Sequence, residues 1–105
     1  MAFHRLVRLD QLYDGFRATF RIGREDILLL QQDGRVFLIE NSCPHQGFPL
    51  DRGSLRGERI ICPRHGFAFH LERGDCFQAP SCRLKTYLPS YDGNYLGVEI
   101  RRSSE

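Results

Sequence analysis

Two short stretches of the sequence share one pattern. Cys43-Pro44-His45-Gln46-Gly47 and Cys62-Pro63-Arg64-His65-Gly66 each set a cysteine ahead of a histidine, follow the cysteine with proline and close on glycine. Thiolate and imidazole are both metal ligands, the sulfur soft and anionic, the ring nitrogen neutral. Proline stiffens each loop, and glycine lets the backbone approach a bound object and aim N–H groups at it. Two such loops at one end of a scaffold can present Cys43, His45, Cys62 and His65 without rearranging.

The other readings of these residues are weaker. Four cysteines in a chain with no signal-like segment favour thiols or metal ligands over a disulfide framework, because the cytosol keeps ordinary thiols reduced. Zinc also takes two Cys and two His, but fingers and ribbons pair like with like, whereas each box here is mixed. A Cys43–Cys62 disulfide would leave both histidines without a part. Cys76 and Cys82 read as small, partly buried residues beside a turn, and a bridge between them would be unusual in a reducing compartment. His4 and His70 have no neighbouring cysteine and read as ordinary surface or strand histidines.

The scaffold that must position the boxes is all-β. FRATFRI (16–22), DILLLQQ (26–32) and RVFLIE (35–40) are rich in β-branched, aromatic and aliphatic residues. Asp33-Gly34 between the last two is a strong hairpin signal. ERIIC (58–62) and FAFHL (67–71) are further short strands, with Arg73-Gly74-Asp75 as a turn. RLKTYLPSY and NYLGVEI flank Asp92-Gly93 as a second hairpin, and LDQLYDGF (9–16) has room for one short helical turn. Short strands and frequent turns predict a small antiparallel β-sandwich or barrel. Phe48, Phe67, Phe69, Tyr87 and Tyr91 read as packing, with Phe48 and Pro49 alternatively an apolar rim for transient docking.

Size and charge narrow the class. At 105 residues the expectation is one domain, able to bury roughly 60–70% of its unfolded surface without needing metal to fold. Fourteen Arg and one Lys are spread along the chain against 13 acids, a net charge of +2. No basic run points to nucleic acid. No apolar run approaches the length of a membrane span, so the expectation is a soluble, cytoplasmic protein. Neither G-x-G-x-x-G nor G-x-x-x-x-G-K-[ST] occurs, so the sequence offers no nicotinamide, flavin or nucleoside-triphosphate site. Nor does it offer a 2-His-1-carboxylate arrangement in a domain large enough for oxygen chemistry.

The pattern C-x-H, sixteen residues, then C-x-x-H, with proline after both cysteines and glycine after the second histidine, resembles the Rieske [2Fe–2S] proteins. It is most similar to the small bacterial ferredoxins that feed ring-hydroxylating dioxygenases. The likeness extends to GFPL (47–50) and to APSCRLKTY (79–87), which looks like that family's proline loop. The resemblance implies a Rieske-like fold over residues 1–105, with a cluster-binding subdomain at about 41–82 formed by two loops at one end.

It further implies one [2Fe–2S] cluster, with Cys43 and Cys62 on the inner iron and His45 and His65 on the outer. Two neutral imidazoles in place of two thiolates make such a cluster easier to reduce than an all-cysteine one. High-potential members add a disulfide between the boxes, and a Ser and a Tyr that hydrogen-bond cluster and ligand sulfur. Phe48, Arg64, Phe67 and Phe69 stand at those positions here, which predicts the low end of the Rieske range, roughly −150 mV.

The implied role is a monomeric, bacterial one-electron carrier. It would stand between an NAD(P)H-dependent flavin reductase and a terminal oxygenase and would not itself be a catalyst. A small subunit of assimilatory nitrite reductase is the alternative within the same fold, and a zinc-stabilised interaction module the alternative from another class. Such ferredoxins are often acidic. This chain has a pI near 8.5, which makes Arg52, Arg56 and Arg64 candidates for steering toward an acidic partner face.

Overall fold

The structure, a computed structural model, describes residues 2–44, 47–64, 66–79 and 81–100. His45 and His65 therefore lie outside the described residues, as do Pro80 of the expected proline loop and residues 101–105.

The described residues form strands β1 (Ala2–Arg8), β2 (Arg17–Ile22), β3 (Glu25–Gln32), β4 (Arg35–Glu40), β5 (Ser54–Arg56), β6 (Arg59–Ile61), β7 (Ala68–His70), β8 (Thr86–Tyr87), β9 (Pro89–Asp92) and β10 (Tyr95–Ile100), with one 3₁₀ turn at Leu9–Gln11. They make three antiparallel sheets, in the orders β1-β10-β9, β2-β3-β4-β8 and β5-β6-β7. No helix of the described residues is long and apolar enough to cross a membrane.

The β3–β4 hairpin is a wall shared by two cores. Asp33-Gly34 closes it with both central residues at positive φ, as a type I′ turn requires. Ile27, Leu28, Leu29 and Leu30 are all fully buried, which a strand can achieve only when both its faces are covered. Successive side chains point to opposite faces. Ile27 and Leu29, with Leu38, meet Val7, Leu96 and Val98 of the β1-β10-β9 sheet. Leu28 and Leu30, with Phe37 and Ile39, meet Ile60, Phe69 and the two cysteines Cys43 and Cys62. The register Leu29↔Leu38 and Leu28↔Ile39 keeps each set on one face. Each of these side chains contributes about 1.5–3 kcal/mol by leaving water.

The pairing departs from the sequence reading in two places. The run expected as one strand before Asp92-Gly93 splits, because Thr86–Tyr87 pairs with β4 while Pro89–Asp92 pairs with β10. Leu88, 85% exposed, lies at the crossing between sheets. Strands β1 and β5 were not foreseen. Ala2–Arg8 buries only Val7 fully and pairs with β10 at the far end of the chain.

Candidate metal centre

The two cysteine loops are built alike. In the first, which follows β4, Cys43 N–H donates to Phe48 O (2.7 Å) and Gly47 N–H to Cys43 O (2.6 Å). In the second, between β6 and β7, Cys62 N–H donates to Phe67 O (2.8 Å) and Gly66 N–H to Cys62 O (2.9 Å). Cysteine, the glycine four residues on and the phenylalanine five residues on thus occupy matching places. Gly47 and Gly66 have φ of +77° and +74°, a region side-chain-bearing residues enter at a cost. Each loop holds its shape through its own backbone, with a buried, unbridged thiol at its root.

Three polar side chains fasten these loops to the fold. Asn41, buried at the end of β4, accepts Leu50 N–H on Oδ1 (2.8 Å), and its own N–H donates to Asp26 O (2.7 Å). Beyond the loop, Arg17 Nη1 on β2 donates to Asp51 O (2.7 Å) and Gly53 O (2.8 Å). Gln78 spans the second loop, accepting Ala68 N–H on Oε1 (2.9 Å) and donating from Nε2 to Gly66 O (3.0 Å). Sequence reasoning missed all three roles. Their partners are backbone atoms, which leave no mark in residue type.

His4, His70, Cys76 and Cys82 lie outside the two cysteine loops. His70 is 5% exposed on β7 and hydrogen-bonded to Glu58, a buried strand histidine rather than a surface one. His4 lies half-buried on β1. Cys76 and Cys82 are free thiols, the first buried and the second half-buried. Burial pushes the Cys82 thiol up, and nearby Cys76 adds to the shift. Phe69 is fully buried, and Phe48 and Phe67 pack half-buried against the same core. Tyr91, expected to pack, is 58% exposed. Phe48 and Arg64, expected to lack a covalent link between the boxes, are in contact: the guanidinium carbon stands 4.5 Å from the ring centroid.

The donor set suits an iron–sulfur group. Two unbridged cysteines root in matching loops. Among the described residues, a Cβ on Gly66 would meet nothing within 4 Å and one on Gly47 would meet only Ser42 Oγ at 3.9 Å, so these residues leave room beside both loops. Among the described residues no three of His, Cys, Asp and Glu gather as a rival metal site.

Known proteins agree with this geometry. The chain is 29% identical over 86 residues to the ferredoxin component of the alkene monooxygenase system of Xanthobacter autotrophicus, covering 81% of this chain and 70% of that one. It is 26% identical over 101 residues to the ferredoxin component of biphenyl 2,3-dioxygenase of Rhodococcus jostii, covering 95% and 94%. The solved ferredoxin of carbazole 1,9a-dioxygenase from Nocardioides aromaticivorans superposes with a TM-score of 0.83 at 25% identity, over 96% of this chain and 100% of that one. The sequence signature of the Rieske [2Fe-2S] domain matches residues 2–91, a span that takes in both cysteine loops and the strands β1 to β8 in full. The chain therefore belongs to the Rieske [2Fe–2S] domain family, whose cofactor is the cluster that the paired loops are suited to hold.

Proposed function

We propose that this protein is a one-electron carrier, taking electrons from a flavin-dependent reductase and delivering them to a terminal oxygenase. Cys43, His45, Cys62 and His65 are the ligand set, and residues 41–82 form the cluster-bearing part of a single unit. The observation that carries the reading is the pair of matching loops, each with a buried thiol held by the same two backbone hydrogen bonds. The oxygenase partner is supported by the named systems of the relatives, two of them dioxygenases and one an alkene monooxygenase.

When bound, a Rieske cluster stores and releases a single electron. The chain's own contribution is to keep the ligands still. Cys43 and Cys62 are tied at their backbone N–H and C=O groups, and Asn41 and Gln78 tie the flanking segments. Ligand positions fixed in this way need little rearrangement when the charge changes. Phe67 and Phe69 offer no hydroxyl to sulfur, which keeps the expected potential at the low end, roughly −150 mV.

The first test is the visible and EPR spectrum before and after dithionite, with iron and acid-labile sulfide assayed on the same sample. About two irons and two sulfides per chain and a Rieske-type signal on reduction are expected. Zinc in place of iron after cluster reconstitution, or a potential above about +100 mV, would overturn the reading. Serine at Cys43 or Cys62 should abolish the colour, and serine at Cys76 or Cys82 should leave it. Gel filtration should give a monomer that binds its partners weakly, as small interfaces do.

A further inference from the structure

Among the described residues, four backbone bonds shape the cysteine loops, each within one loop: Cys43 to Gly47 and Phe48, Cys62 to Gly66 and Phe67. The loops leave different strands, β4 and β6, of different sheets. A side-chain contact crosses from one to the other. Arg64, in the second loop, lies over the ring of Phe48, which closes the first, with its guanidinium carbon 4.5 Å from the centroid. Phe48 is half-buried against the core that holds Cys43 and Cys62, so the ring is backed by packing. Arg64 is exposed, and covers the ring from the solvent side.

We propose that the Arg64–Phe48 stack is a clasp that sets the separation of the two loops and slows release of the metal held between them. The inference rests on the reading that both loops ligate one metal group. Metal bound by two loops escapes when they part. A contact made in the closed arrangement and broken in the open one lowers the opening rate by its own worth. A planar, weakly hydrated guanidinium suits an aromatic face better than a compact ammonium does. Arg64 is thus a positioning residue, acting through Phe48 on the spacing of the ligand loops. A second stack, Arg59 over Phe77 at 5.2 Å, lies outside both cysteine loops and supplies a control of the same chemistry.

The test is the rate at which the loaded protein yields its metal to a chelator under anaerobic conditions, followed by visible absorbance and metal assay. Wild type is compared with Arg64→Leu, Phe48→Leu, the double variant, Arg64→Lys and Arg59→Leu. Each clasp single should release metal about two- to five-fold faster, the span expected of an exposed cation–π contact. The double should be no faster than the faster single, Arg64→Lys should fall between, and Arg59→Leu should match wild type. Singles at the wild-type rate, or a double equal to the product of the singles, would overturn the clasp. Should Phe48→Leu fail to fold, Phe48→Tyr keeps the ring. It should release at the wild-type rate, and adding Arg64→Leu to it should restore the two- to five-fold acceleration. Metal content separates the two readings: zinc instead of iron sinks the electron carrier, while the same release cycle on the zinc-loaded protein still decides the clasp.

Discussion

His70 Nε2 stands 3.0 Å from Glu58 Oε1, while its Nδ1 accepts the backbone N–H groups of Glu72 (3.2 Å) and Arg73 (3.1 Å). A nitrogen facing two donors carries no hydrogen, so the proton of the neutral ring sits on Nε2 and is donated to the carboxylate. Arg35 of β4 completes the network, 2.8 Å from Glu72 and 3.6 Å from Glu58. The imidazole therefore holds the turn after β7, at the end of that strand away from the second cysteine loop. His70→Phe should cost about 2 kcal/mol or more in urea unfolding, because it strips an acceptor from two N–H groups. Glu58→Gln keeps an acceptor for Nε2–H and should cost under about 1 kcal/mol. Nitrogen chemical shifts should report the Nε2–H tautomer. A His70→Phe variant as stable as wild type would show that the turn holds without the ring.

Much of this architecture was legible because its signals are local. Asp33-Gly34 marked a hairpin, and the apolar run within 26–32 marked a strand, in which Ile27 to Leu30 prove to be fully buried. The cysteine boxes stood out because proline, glycine and thiol each constrain a loop in a different way. What stayed hidden is carried by contacts distant in sequence. Ala2–Arg8 is a strand because β10 offers it an edge, and its mixed polar sequence shows no strict alternation. Ser54–Arg56 is too short to carry a pattern. Asn41, Arg17 and Gln78 act on carbonyls and N–H groups, so residue type alone does not point to their partners. The Arg64–Phe48 contact joins two boxes that the sequence shows only as separate motifs.

Glu25 gives the stability a defined pH dependence. Its carboxylate accepts hydrogen bonds from the Tyr87 hydroxyl and from Lys85 Nζ (3.0 Å), which together hold it below the ordinary carboxylate range. Because the folded value is depressed, this stabilisation is complete above the unfolded value of about 4.3 and fades as pH falls below it. Tyr87 moves the opposite way: burial first, and then its bond to Glu25, push the phenol up. Its contribution is complete below the unfolded value of about 10 and fades as pH rises past it. Urea midpoints should therefore fall less between pH 5 and pH 3 in Glu25→Gln than in wild type. They should fall less above about pH 10 in Tyr87→Phe. Parallel profiles for wild type and both variants would remove this pair from the account of stability.

Gly66 tests the loop geometry through its backbone. Its φ is +74° and a Cβ there would touch none of the described residues within 4 Å, so against these the cost of a side chain is conformational rather than steric. Gly66→Ala should lose about 1 kcal/mol of stability. Gly66→Asn should lose less, since asparagine visits the left-handed region more readily. Gly66→Val should lose more, because branching at Cβ makes that region worse still. Circular dichroism melts and retained iron should follow the order Gly, Asn, Ala, Val. An order that tracked side-chain volume instead would point to a steric limit.

Charge near the cysteine loops should govern how fast the protein meets its electron donor. Arg52, Arg56 and Arg64 are all exposed, and the first two lie on the segment joining the first loop to β6. Exposed charges act over about 30 Å at 10 mM ionic strength and about 8 Å at 150 mM, so steering must weaken with salt. Arg52→Glu and Arg56→Glu should slow reduction by the proposed flavin-dependent reductase about three-fold or more at low salt and have little effect at 0.5 M. Arg64→Glu should show the same salt-dependent slowing. It should also accelerate metal release at every salt concentration, because it removes the stack on Phe48 as well as the charge. Equal reduction rates for wild type and all three variants across the salt series would mean that these arginines are solvated surface charges, and that the partner docks by shape and apolar contact alone.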